Sequence, residues 1–269
     1  MRGPKQLLDC EDKWVTEMGA WIAGERVVFR GKDLFKELHS MRWMGLLLYG
    51  ITGREFNDKQ IRLFEGLWVL SVSYPDARIW NNRVAALTGS AKATGSLGIS
   101  AATAVSEAKV YGKQADLAAI EFIKRAKRHK DQGGDLTELV KAELHTKRAI
   151  GGFGRPIIMK DERIAPVMRL VKDLEYHQGE CLKIAFEIEQ ILISERFRMR
   201  MNVGGLVAAI ASDQNLSALE YYYYVLLAFT AGHFPCFIEA QDYKMEGTFF
   251  PLRCERVSYQ GKPHRKWEI

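Results

Sequence analysis

The stretch with the most chemical content runs Gly151-Gly152-Phe153-Gly154-Arg155-Pro156-Ile157-Ile158-Met159-Lys160-Asp161-Glu162-Arg163. A glycine-rich turn leaves backbone N–H groups open to an anionic ligand. Arg155 is always charged, so it can bind an oxyanion but cannot shuttle protons near neutrality. A few residues on, Asp161, Glu162 and Arg163 open a new helical pattern. By itself the stretch predicts an anion-binding loop.

The surrounding chain must supply the frame. Its 269 residues, 47% of them hydrophobic, suffice for one large or two smaller packed domains. The formal net charge of +6 invites a nucleic-acid reading. Yet the densest basic run, Lys124-Arg125-Ala126-Lys127-Arg128-His129-Lys130, has no aromatic stacking platform or reader motif beside it. It reads first as a solvated helix face, next as a patch for a phosphate-bearing cofactor, and last as a nucleic-acid surface, so no nucleic acid is expected.

Cys10, Cys181, Cys236 and Cys254 form no CxxC pair. That argues against zinc and against a secreted disulfide framework, and predicts buried, reduced thiols. The histidines lack metal spacing, so no metal is expected. No apolar run approaches the roughly 20 residues of a spanning helix. Charges at Asp9, Glu11, Asp12 and Lys13 follow the N-terminus where a signal peptide would be apolar. A cytoplasmic location without a membrane partner is expected.

Helical spacing dominates. Leu7, Leu8, Trp14, Val15, Met18, Trp21 and Ile22 fit a helix over about 6–22, and 25–31 could be a short strand or turn. Asn57 is a plausible N-cap for a helix from Asp58 to about Ser73. Helices follow over 116–130, 136–149, 164–176 and 181 to about 197, the last two broken at Gly179. Ser217 and Glu220 make a capping box for a helix carrying Tyr221 to Phe229, which Gly232 ends. No stretch alternates convincingly enough for a sheet, so the predicted class is all-α.

The Gly-Phe-Gly-Arg loop and Asp161-Glu162-Arg163 together resemble the Gly-Phe-Gly-His loop and following Asp-Pro-Arg of the citrate synthase and citryl-CoA lyase superfamily. Further stretches share the likeness, in the family's order, among them Leu34 to Gly50, which resembles its helix pair and Leu-rich, Gly-ended run. Val27-Val28-Phe29-Arg30-Gly31 resembles its Tyr-Arg-Gly signature, the Ala- and Gly-rich segment from Ile79 to Ala104 resembles its dimer-forming helices, and Arg256, Tyr259 and Gly261 match its tail motif Arg-Pro-Arg-x-x-Tyr-x-Gly.

The resemblance implies a citrate synthase-like all-α fold. A smaller domain, 113–199, is inserted into a large helical domain made of 1–112 and 200–269, and the molecule forms a homodimer. It also implies a coenzyme A thioester as substrate rather than a permanently bound cofactor, a di- or tricarboxylate as second ligand, and carbon–carbon bond making or breaking through an enolate. Gly151, Gly152, Phe153 and Gly154 would contact the coenzyme. Arg163, Arg256 and Tyr259 would bind substrate, with Arg256 reaching into the partner subunit's site.

The proton-handling positions depart from the family. Asn202-Val203-Gly204 stands where the family writes Asn-Val-Asp, and glycine cannot accept a proton. Arg155 replaces a His that polarises the acceptor, and Tyr111 falls where a His stabilises the enolate. Phe229 occupies the place of a carboxylate-binding Arg. Two readings follow. In one, an altered enzyme uses Arg155 and Tyr111 as catalytic groups and draws a base from Glu107 or Asp116, both of which read first as part of a solvated helix face. In the other, a non-catalytic subunit or sensor binds the same ligands.

Overall fold

The computed structural model describes residues 3–109, 112–155, 160–242, 254–256 and 258–262. The elements in chain order are α1 (Gly3–Cys10), β1 (Gly19–Ile22), β2 (Arg26–Phe29), β3 (Lys32–Asp33), α2 (Trp43–Thr52), α3 (Asp58–Ser71), α4 (Trp80–Ser90), α5 (Gly95–Val105), α6 (Lys113–Asp131), α7 (Leu136–Lys147), α8 (Ile164–Asp173), α9 (Glu180–Ser194), α10 (Val203–Asp213), α11 (Ala218–Val225) and α12 (Thr230–Asp242), followed by a 3-10 turn at Cys254–Arg256. Helices dominate, as the sequence predicts.

By internal contacts the chain forms two units, Met1–Val72 with Glu107–Ala228, and Ser73–Ser106 with Phe229–Ile269. These boundaries differ from the expected insertion of 113–199. The reason lies in α6, which packs against α10 and α11, helices that the sequence reading assigns to the other domain.

In the first unit α10 is the centre. Val203, Gly205, Leu206 and every residue from Val207 to Ser212 are buried. A helix apolar all round has no face for solvent, so other helices must cover it. Ala119, Ile120, Ile123 and Ala126 of α6 share its core with Ile184, Ala185 and Ile188 of α9. Local signals set the ends of the surrounding helices. Asn57 and Gln60 form a reciprocal capping box on α3, and Ser217 and Glu220 do the same on α11. Of the four consecutive tyrosines, Tyr221 and Tyr224 are buried and Tyr223 is exposed.

In the second unit α4 and α5 pack with α12. Small residues permit the approach: a Cβ on Gly89 would stand 2.4 Å from the Phe237 carbonyl oxygen. Asn81 donates to Ser106 at 2.9 Å and Asn82 to the Tyr74 carbonyl at 2.7 Å, which satisfies both buried amides.

Two local expectations are corrected. The helix foreseen over 6–22 stops at Cys10, and Gly19–Ile22 instead pairs antiparallel with Arg26–Phe29, which pairs in turn with Lys32–Asp33. Gly24, at φ 72°, supplies the left-handed turn that lets this hairpin close. Gly232 lies inside α12 rather than ending a helix. A Cβ there would meet the Ser73 carbonyl oxygen at 2.5 Å, so this glycine serves close packing.

Candidate functional site

The glycine loop and the start of α10 are locked together by backbone. Gly154 N–H donates to the Arg200 carbonyl at 2.7 Å, Asn202 N–H to the Gly152 carbonyl at 3.0 Å, and Phe153 bridges to Met201. The Asn202 side chain completes the junction, its amide donating to the Gly154 carbonyl at 2.9 Å while its oxygen caps Gly205 N–H at 3.2 Å. Gly152 sits at φ 84°, and a Cβ on it would stand 2.5 Å from Gly205 Cα. Two glycines therefore touch where no side chain would fit. Two N–H groups expected to stay open to an anion are already engaged, since Phe153 N–H donates to Ile150 and Gly154 N–H to Arg200. Phe153 is buried, so much of the loop is a clamp on α10.

Asp161, to which the sequence reading gives no binding or catalytic role, is the electrostatic hub. Its carboxylate is almost fully buried and accepts from Arg163 Nε at 2.9 Å, Arg163 Nη2 at 2.8 Å and Val203 N–H at 2.9 Å. Burial alone would raise its pKa. The bonds from Arg163 and Val203 outweigh that and hold it below the usual carboxylate range. Arg163 thus has two of its three guanidinium nitrogens on a protein carboxylate. Arg155 lies 3.8 Å from Asp161 and bonds Glu162 at 2.6 Å. That hydrogen bond is the largest cause of the lowered Glu162 pKa. The only sequence hint of this hub was the Asp-x-Arg spacing, which lets Asp161 Oδ1 also accept Arg163 N–H at 3.1 Å.

Asp116, in the first turn of α6, faces Gly204. A Cβ built on Gly204 would stand 2.7 Å from Asp116 Oδ1 and 3.1 Å from Asn202 Oδ1. Asp116 keeps some accessible surface. Burial nonetheless pushes its pKa up to about 7, against the pull of Arg163 and then Lys113. Lys113 is itself buried, and desolvation lowers its pKa, with Glu107 and Asp116 opposing. On the far side Tyr221 is buried, and burial followed by the Asp116 charge keeps its phenol neutral. Glu107, the other candidate base, is exposed and accepts from the Tyr222 hydroxyl at 2.8 Å and from Gln114.

Among the predicted site residues, the structure brings Arg155 and Arg163 together with the loop 151–154. Tyr111 lies outside the described residues. Arg256 and Tyr259 are exposed, and both belong to the second unit. Three members of the basic run on α6 are ion-paired: Arg125 with Glu143, Lys127 with Asp131 at 2.9 Å and Glu180 at 2.7 Å, and Lys130 with Glu187. That arrangement favours the solvated helix face. Among the described residues there is no group of three or more metal-ligating side chains, and no helix is long and apolar enough to cross a membrane.

Neither a protein-family model nor a curated protein matches the sequence. Solved structures do. The citryl-CoA lyase of Hydrogenobacter thermophilus superposes with a TM-score of 0.81 at 21% identity, covering 95% of this chain and 97% of that one. An ATP citrate lyase mutant of Methanosaeta concilii in complex with (3S)-citryl-CoA matches at TM-score 0.76 and 15% identity, over 97% of this chain and 44% of that one. A citrate synthase of the archaeon Thermoplasma acidophilum, in ternary complex with carboxymethyl coenzyme A and oxaloacetate, matches at 0.65 and 17%, over 86% and 60%. The chain therefore spans nearly all of the citryl-CoA lyase but less than half of the ATP citrate lyase. The fold is citrate synthase-like.

Proposed function

With a citrate synthase-like fold as the premise, we propose that the chain acts on a coenzyme A thioester and a di- or tricarboxylate, joining or cleaving the carbon–carbon bond between them as an acyltransferase or lyase. The observation that carries this reading is the end-to-end likeness to a citryl-CoA lyase, since a chain of the same extent has room for the same two ligands. The arginine cluster beside the glycine loop supports it. The Arg155–Glu162 pair is exposed on its acidic side, and exposed ion pairs contribute only about 0–1 kcal/mol. A ligand carboxylate can take the place of Glu162 at little cost. Arg163 is committed to Asp161 and orients the cluster, offering its remaining nitrogen to the same ligand. The loop 151–154 lies against the coenzyme, Tyr111 hydrogen-bonds the enolate oxygen, and Arg256 and Tyr259 serve the site of the other subunit of a homodimer.

A second reading is favoured by Gly204 and by guanidinium groups already satisfied within the chain: a non-catalytic subunit or sensor binding the same molecules. Calorimetry with acetyl-CoA, citrate and oxaloacetate, followed by a citryl-CoA cleavage assay, separates them. Binding with turnover supports the enzyme, binding without turnover the sensor, and neither binding nor turnover removes both.

A further inference from the structure

We propose that Asp116 is the proton-transferring carboxyl of this site, reaching from α6 into the space left open on α10 by the absent side chain of Gly204. The assignment rests on the enolate chemistry proposed above and adds the residue that handles its proton.

The geometry is one of exchange. Any side chain at 204 would begin 2.7 Å from Asp116 Oδ1, inside van der Waals contact, so the Asp116 carboxyl and a residue-204 side chain compete for one volume. A carboxyl can be delivered to this spot from α10 or from α6, and one placed on α10 would push the Asp116 carboxyl aside. In this chain α10 offers glycine and α6 offers Asp116. Where it lies, the carboxyl adjoins Asn202, whose side chain holds the glycine loop, and feels the charge of Arg163, which belongs to the anion cluster.

Three further features separate Asp116 from a structural acid. The residue is part-exposed rather than sealed in the core. Among the described residues no hydrogen-bond donor is seated on its carboxyl; burial and the charges of Arg163 and Lys113 are what act on it. Burial, opposed by the charges of Arg163 and Lys113, holds it near the midpoint of its titration at neutral pH, the condition under which one group can both take and return a proton. The groups facing it are Lys113 from its own helix, Arg163 ahead of α8 and the neutral Tyr221 of α11, while the start of α10 brings only Asn202 and Gly204. Glu107, by contrast, already accepts hydrogen bonds from the Tyr222 hydroxyl and the Gln114 amide.

In the acyl-transfer direction an Asp116 oxygen takes a proton from the carbon next to the thioester carbonyl. The C–H bond breaks, an O–H bond forms on Asp116, and the electron pair moves onto the carbonyl oxygen as an enolate. In the cleavage direction the O–H of Asp116 returns that proton to the enolate carbon, and the carboxylate is regenerated.

The test uses acetyl-CoA with the full-length protein in D2O. Methyl-group deuteration is followed by NMR and binding by calorimetry, with thermal melts confirming that each variant folds. The wild type should bind and exchange, at a rate that rises with pH through about 7. Asp116→Asn should still bind but exchange at least about 100-fold more slowly, without that pH dependence. The double variant Asp116→Ala with Gly204→Asp, which moves the carboxyl to α10, should recover at least about a tenth of the lost rate relative to Asp116→Ala alone. Unchanged exchange in Asp116→Asn, or wild-type binding without exchange, overturns the proposal and leaves ligand binding intact. Absence of acetyl-CoA binding in the wild type overturns the underlying reading and this assignment with it.

Discussion

Asp161 and Arg163 meet fork to fork, with the acid's two oxygens on Nε and Nη2 at 2.9 and 2.8 Å, and the same carboxylate fixes the first N–H of α10 at Val203. One buried acid thus ties the segment before α8 to the central helix. Removing its charge strands a guanidinium that is itself mostly covered. Asp161→Asn should cost about 3 kcal/mol in denaturant unfolding, the lower end of the range for breaking a buried pair because Arg163 keeps some contact with water. The sign with pH follows from the lowered pKa. The stabilisation is complete above the unfolded carboxylate value of about 3.9 and is lost as pH falls through the lower folded value. The variant should therefore lack part of the acid-side loss of stability seen in the wild type.

Asp116 carries the opposite sign. Its folded pKa of about 7 lies above the unfolded value, so between about 4 and 7 the folded state binds more protons and stability falls as pH rises. Asp116→Asn should remove that decline and be more stable than the wild type at pH 8 by about 1–3 kcal/mol, with the difference shrinking towards pH 4. Paired urea titrations at the two pH values measure it. A wild-type profile flat across this window would refute the raised pKa.

Gly152 and Gly205 should behave as a coupled pair. A Cβ on Gly205 would stand 2.3 Å from the Gly152 carbonyl oxygen, and one on Gly152 would stand 2.5 Å from Gly205 Cα. Backbone cannot rotate away as a side chain can, so either Ala substitution should cost about 2–4 kcal/mol through overpacking and, at Gly152, its positive φ. Both substitutions open the same contact. The double variant should thus fall short of the sum by about 1 kcal/mol or more in a double-mutant cycle. Full additivity would mean that the two backbones do not touch.

How much of this was legible in the sequence depended on the range of the interaction. The Asn57 N-cap and the Ser217–Glu220 capping box are signals carried within a few residues, and both form as read. The strand Gly19–Ile22 was missed because its pairing with Arg26–Phe29, not its own pattern, decides its state; its apolar residues suit a helix equally well. Gly232 was misread for a similar reason, since glycine ends a helix or admits a neighbour, and only the neighbour tells which. At the site, the loop and Arg155 could be found from spacing. The Asp161–Val203 bond and the approach of Asp116 to Gly204 join residues 42 and 88 positions apart, and no local pattern encodes them.

The proposed homodimer makes a separate prediction. Phe234 and Ile238 are four residues apart on α12, so they share a face, and they are 52% and 53% exposed. Apolar side chains grouped on one helix face are what a subunit interface covers. Substituting both with Glu should shift the protein from dimer to monomer in sedimentation velocity, with the melting of the monomeric fold changing little. An unchanged dimer would place the interface elsewhere.

Glu162 guards Arg155, and the relation between them sets the last expectation. The carboxylate bonds Arg155 at 2.6 Å, yet its side chain is 64% exposed, so water screens the pair and already solvates the acid when it leaves. A ligand carboxylate arriving at Arg155 must displace Glu162 and accept its negative charge nearby. Glu162→Gln removes that competitor and should tighten citrate or oxaloacetate binding by about 3- to 5-fold, the equivalent of an exposed ion pair of about 0.6–1 kcal/mol. Arg155→Ala should weaken the same binding by 10-fold or more, about the value of a charge-assisted bond. Calorimetry on the two variants reads both effects. Equal affinity in Glu162→Gln and the wild type would mean that the ligand acid binds away from Arg155, and the cluster would then serve only to brace α10.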